Sequence, residues 1–95
     1  MKMMELLKSG KQQEVHIEYC VKWNYGPEFD RVSKLIKEKC PKAMIIGNQT
    51  PPRSGAFEIT INHELVYSKF KTNTFPSEDE ILVMVLSRMT KGVKI

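Results

Sequence analysis

The chain reads as one α/β domain in which a mixed β-sheet packs against two helices in the order β-α-β-β-β-α. Three observations predict this. Apolar residues alternate over 15–19 and again over 57–61, the two-residue period of a half-buried strand. Apolar residues at helical spacing fill 29–40 and 81–89. Turn-forming clusters at 24–27, 50–55 and 72–76 punctuate the segments between them.

Each element follows from its residues. Val15, Ile17 and Tyr19 alternate with His16, Glu18 and Cys20, so the first strand ends at a cysteine. Asn24-Tyr25-Gly26-Pro27 breaks the strand, and Pro27 suits a first helical turn. Phe29, Val32, Leu35, Ile36 and Cys40 form the apolar side of the helix that follows. Glu28 and Asp30 favour its N-terminal end, Lys34, Lys37 and Lys39 favour the other, and Pro41 stops it. Ala43–Gly47 is a short continuous apolar run, as expected of a strand buried on both faces. After the 50–55 loop, Phe57, Ile59 and Ile61 form a half-buried strand. Asn62-His63-Glu64 predicts a hairpin turn whose second arm is Leu65–Phe70. Ser77 and Glu80 make a Ser-x-x-Glu capping box. The helix it opens has Ile81, Leu82, Val85, Leu86 and Met89 as its apolar side and Gly92 as terminator. A strand, a helix and a second parallel strand, then a hairpin and a closing helix, make the minimal thioredoxin-like arrangement. A ferredoxin-like sandwich needs a different distribution of strands.

Ninety-five residues suit one domain, expected over 14–91, with a flexible N-terminal tail at 1–13 and a C-terminal tail at 92–95. Lys and Arg outnumber Asp and Glu by 15 to 11, a net charge of +4. The basic residues are spread along the chain without an Arg-rich stripe or interleaved aromatics, so no nucleic-acid binding is expected. Lys2, Glu5 and Lys8 interrupt the N-terminal apolar residues, which argues against a signal peptide, and no stretch approaches a membrane span. Two cysteines are too few for a secreted disulfide framework. A cytoplasmic protein without membrane association is expected.

Cys20 stands at the junction of the first strand and first helix, where helix-terminal N–H groups and the macrodipole favour thiolate over thiol. Lys22 adds positive charge nearby. Against this stands the bland alternative of a buried cysteine acting as a small apolar residue. Cys40 is a poor redox partner: helical residues 27–39 place the two ends roughly 18 Å apart, whereas a disulfide needs Cα atoms within about 7 Å. Cys40 is expected in the core or at the helix end. His16, Cys20, Cys40 and His63 lack the short ligand pairs of zinc sites, so no metal is expected. His16 is expected to pack or bond on its strand and His63 to be exposed in a turn. The glycines are isolated, which leaves no phosphate-cradling loop. Glu78, Asp79 and Glu80 have a sufficient structural cause at a helix N-terminus.

The run Val15-His16-Ile17-Glu18-Tyr19-Cys20 resembles the opening strand of the selenoprotein W, T and H group, the Rdx family. Ser54-Gly55-Ala56-Phe57-Glu58-Ile59 and Leu65-Val66-Tyr67-Ser68-Lys69 resemble the same family, and selenoprotein W-like members are the nearest in kind. The resemblance implies a thioredoxin-like fold, a cytosolic setting and a glutathione-linked role in cell redox homeostasis. It implies glutathione as a redox partner and undefined protein clients; no bound cofactor and a monomer are expected.

Family members carry Cys-x-x-selenocysteine or Cys-x-x-Cys after the first strand, and here the motif is Cys20-Val21-Lys22-Trp23. Cys20 matches the first position. Trp23 occupies the second, as a native residue, a reassigned UGA codon or a replacement. The implied thiol-disulfide oxidoreductase motif is therefore incomplete, and one-thiol chemistry is expected, with Cys20 forming mixed disulfides. The alternative is a redox-inactive thioredoxin-like interaction module that uses the surface around Trp23.

Overall fold

In the computed structural model, which describes residues 13–89, alternation and turn chemistry build a four-stranded sheet with its two longer helices on one face. The strands are β1 (Glu14–Tyr19), β2 (Met44–Gly47), β3 (Phe57–Ile61) and β4 (Glu64–Ser68). The helices are α1 (Gly26–Lys39), the single-turn α2 (Lys69–Thr72) and α3 (Glu78–Met84), which runs into a π-helical turn over Val85–Met89. The sheet order is β2-β1-β3-β4, with β1 and β2 parallel and the other two pairs antiparallel. A parallel pair needs a crossover, and α1 supplies it.

Register decides which side chains meet the helices. Val15, Ile17 and Tyr19 lie opposite Ile61, Ile59 and Phe57. Their common face buries against Val32 and Ile36 of α1 and against Ile81, Met84 and Val85. The other face carries His16, Glu18, Glu58 and Thr60; neither α1 nor α3 packs on it, and α2 meets it at Glu58. This mixed sheet with two main helices is the expected fold. The expected tails at 1–13 and 92–95 and the terminator Gly92 lie outside the described residues, except Gln13.

Four local expectations change. The 43–47 run is not a strand buried on both faces: β2 is an edge strand beside β1 alone, and Met44 is exposed while Ile45 and Ile46 are half-buried. Its apolarity serves one covered face and an edge. The second hairpin arm stops at Ser68, because Lys69–Thr72 coils into α2. Ser68 caps that turn by accepting from the Lys71 N–H, and the Glu58 carboxylate accepts from the Lys69 and Phe70 N–H groups. The hairpin turn itself is Asn62-His63, both at positive φ (49° and 71°) as a two-residue primed turn requires.

On the last helix, Ser77 and Glu80 form the expected capping box. Leu86, expected on the apolar side, is 58% exposed. The π-helical turn widens the spiral after Met84, so the 3.6-residue period that aligns Leu86 with Leu82 no longer holds. Met84 takes a core position instead.

Candidate functional site

The end of the sheet where β1 finishes gathers the chemistry-bearing residues. β1 delivers Cys20 to this end, and the Cys20 N–H donates to the Ala56 carbonyl at 3.0 Å, tying it to the segment before β3. Residues 21–24 form a turn closed by the Asn24 N–H on the Val21 carbonyl at 2.9 Å, with Asn24 at φ 56°. The Tyr25 N–H then returns to the Cys20 carbonyl at 3.0 Å, and Tyr25 becomes the N-cap residue of α1. α1 begins at Gly26 with proline in its first turn, as expected, where its missing N–H costs nothing.

Asn48 fixes the last residue before Cys20. Its side-chain Oδ1 accepts from the Tyr19 N–H and its Nδ2 donates to the Tyr19 carbonyl, both at 2.9 Å. One side-chain amide thereby replaces the strand residue that β2 no longer provides. The Tyr19 ring stacks on Phe29 with centroids 4.6 Å apart, and Gly47 leaves room for both rings.

The structure brings Cys20 and Trp23 to one short turn but gives them opposite environments. Cys20 is 1% exposed, whereas Trp23 is 55% and Val21 61% exposed. Reactive cysteines are partly exposed as a rule, and Cys20 is buried in this structure. The Trp23 ring lies across Gly55: a Cβ on that glycine would stand 2.8 Å from Cζ3 of the indole. Gly55 has φ +75°, so both its conformation and the ring above it call for glycine. The edge of Trp23 also meets Tyr25, with ring centroids 6.1 Å apart.

A second set of contacts holds the 50–55 loop. Arg53 forms a double hydrogen bond to Glu18, through Nε at 3.0 Å and Nη2 at 2.7 Å, and its backbone N–H donates to the same carboxylate at 2.7 Å. The Arg53 hydrogen bonds hold the Glu18 carboxyl below its ordinary range, against a smaller opposing effect of burial, and the pairing raises Arg53. The Arg53 guanidinium also covers the Phe70 ring at 4.9 Å. Beside this loop the open sheet face forms a groove of about 460 Å³ lined by His16, Glu18, Ile46, Asn48, Arg53 and Glu58 among others. Neither Cys20 nor Trp23 lines it.

The remaining candidates are dispersed. Cys40 caps the far end of α1, half-buried against the core, about 20 Å of helix away. His16 bonds Glu14 at 3.4 Å on its strand, and His63 is exposed in the hairpin turn. No group of three metal-ligating residues occurs among the described residues. No described helix is long and apolar enough to cross a membrane. Glu58 and Asn48 escaped sequence reasoning because their partners are backbone groups 11 and 29 positions away. Gly55 carried a turn signal but gave no sign of the ring it accommodates.

Known proteins place this geometry. Zebrafish (Danio rerio) selenoprotein W is 27% identical over 81 residues, covering 84% of this chain and 94% of its own. Mouse (Mus musculus) migration and invasion enhancer 1 is 29% identical over 76 residues, covering 80% of this chain and 64% of its own. The crystal structure of a selenoprotein W-related protein from Vibrio cholerae superposes with a TM-score of 0.69 at 18% identity, over 81% of this chain and 96% of that one. These neighbours share the thioredoxin-like fold seen here. Residues 14–87 match the Rdx family along nearly the whole described domain, and the chain belongs to that family as a selenoprotein W-like member, a membership that points to a redox-related role.

Proposed function

We propose that the chain is a cytoplasmic, monomeric one-thiol redox protein whose Cys20 exchanges with glutathione and with protein thiols. The observation that carries this reading is the position of Cys20, the family's first motif residue, at the strand-to-turn junction with exposed residues directly after it. In the forward step the Cys20 thiolate attacks one sulfur of oxidised glutathione. The glutathione disulfide bond breaks, one glutathione leaves as thiolate and takes up a proton, and Cys20 holds the other in a mixed disulfide. Trp23 carries no sulfur to resolve that product, so a glutathione thiolate attacks the glutathione sulfur of the mixed disulfide, forming oxidised glutathione and releasing Cys20 as thiolate. Because Cys20 is 1% exposed, the exchange waits on movement of the 21–24 turn.

Intact-mass analysis with oxidised glutathione, on the wild type and on Cys20→Ser and Cys40→Ser, tests this. The expected result is one glutathionyl adduct that survives Cys40→Ser and disappears in Cys20→Ser. An adduct confined to Cys40, or none, refutes the reading. The burial of Cys20 beside an exposed Trp23 favours a second reading, a binding module that does not use the thiol.

A further inference from the structure

Three separate segments converge at the end of the sheet that holds Cys20. Residues 20–25 place Val21, Lys22 and Trp23 outward, residues 53–56 place Arg53 outward beside the buried Gly55, and residues 69–73 place Phe70 and Lys71 outward with Lys69 half-buried. Their contacts form a continuous arc. Trp23 rests on Gly55, two residues from Arg53, whose guanidinium lies 4.9 Å from the Phe70 ring centroid. The other way round, Trp23 meets Tyr25, and the Lys69 ammonium lies 5.5 Å from that ring's centroid.

The arc is both apolar and positive. Val21 at 61%, Trp23 at 55% and Phe70 at 47% exposure are large apolar side chains open to solvent. The three segments carry four cations, Lys22, Arg53, Lys69 and Lys71, and no carboxylate. Arg53 is paired with Glu18, whereas Lys22, Lys69 and Lys71 have no carboxylate partner among the described residues. Glu58, the other nearby acid, is only 7% exposed and turns its carboxylate to the α2 N–H groups.

We infer that this arc is a docking surface for an acidic peptide segment of a partner protein, anchored by an aromatic or branched aliphatic side chain. The anchor would lie against Trp23 and Phe70, where a tryptophan and an arginine-backed aromatic supply the residue types that dominate binding sites. Flanking Asp or Glu side chains would meet Lys22, Lys69 and Lys71, giving orientation and a salt-dependent association rate. The charge pattern selects the partner: a basic segment would be repelled. This inference names the partner of the second reading above and does not depend on Cys20 reacting.

Trp23 is the single tryptophan of the chain, so its emission reports occupancy directly. The probe is a synthetic peptide with a central Leu-Phe pair flanked on both sides by three acidic residues, and the control carries lysines in their place. The acidic peptide is expected to shift Trp23 emission saturably to the blue, with affinity falling at least tenfold between low and high salt. Calorimetric affinity is expected to fall at least tenfold in Trp23→Ala and in the surface double variant Lys22→Glu/Lys71→Glu. Circular dichroism would confirm that both variants are folded. Cys20→Ser should bind as the wild type does, which separates this result from any failure of glutathione exchange. Undiminished binding in the charge variant, equal binding of the lysine control, or amide shifts confined to the open sheet groove would each overturn the inference. So would tighter, salt-sensitive binding of a single-stranded oligonucleotide.

Discussion

Gly55→Ala is expected to destabilise the domain by an amount that depends on Trp23. The backbone contribution comes first. An L-residue held at φ +75° costs about 1–2 kcal/mol. The lower entropy of unfolded alanine returns about 0.4–1 kcal/mol, leaving about 1 kcal/mol. The added Cβ would stand 2.8 Å from the Trp23 Cζ3 and 3.3 Å from Cη2, so the indole must leave. Its exposure makes that departure possible without rebuilding the core. The lost contacts, on the order of ten at about 0.1 kcal/mol each, add about 1 kcal/mol. Gly55→Ala should therefore cost about 2 kcal/mol with Trp23 present and about 1 kcal/mol in a Trp23→Ala background. Urea unfolding followed by circular dichroism reads all four corners of the cycle. The displaced ring should also move the wild-type emission maximum to the red. Equal costs in the two backgrounds, with unchanged emission, would show that the ring does not rest on Gly55.

Asn48→Ala should cost about 2 kcal/mol, because it orphans a half-buried N–H and carbonyl of Tyr19 at once. Asn48→Asp keeps the acceptor and loses the donor, so urea midpoints that ranked it as stable as the wild type would disprove the two-bond role. The Glu18 carboxyl has a folded pKa below its unfolded one, held there mainly by the Arg53 side-chain hydrogen bond. Its stabilisation is thus fully present above the ordinary carboxylate range and is lost as pH falls through the lower folded value. Arg53 is largely exposed, which limits the effect to below about 1 kcal/mol. Glu18→Gln should flatten that acid limb of the thermal midpoint and leave the alkaline side unchanged; an identical pH profile would remove the pair from the account. Trp23→Cys should create a disulfide with Cys20 on mild oxidation, read as the loss of two free thiols. Two thiols remaining would mean that the turn holds positions 20 and 23 apart.

The sequence was most informative where the cause is local. Alternation in 15–19 and 57–61, the Pro27 start of α1 and the Ser77–Glu80 box each depend on neighbours within a few residues, and each element stands where expected. Cys20 was legible as the end of β1, and the Cys20-Val21-Lys22-Trp23 departure from the family motif needed no coordinates. Leu86 and Phe70 show where local pattern fails. A π-helical turn rotates one away from the core, and a buried glutamate twelve positions distant coils the other out of its strand.

What the sequence by itself determined is thus a mixed sheet under two helices, with one thiol and one tryptophan in the turn after β1. Only the tertiary structure decided that the thiol is buried and the tryptophan is not. It also decided that Trp23, Arg53 and Phe70 share one positive, apolar rim. The reason is physical: strand and helix periods arise from adjacent residues, whereas exposure and charge clustering arise from segments that the chain separates by seventeen residues or more.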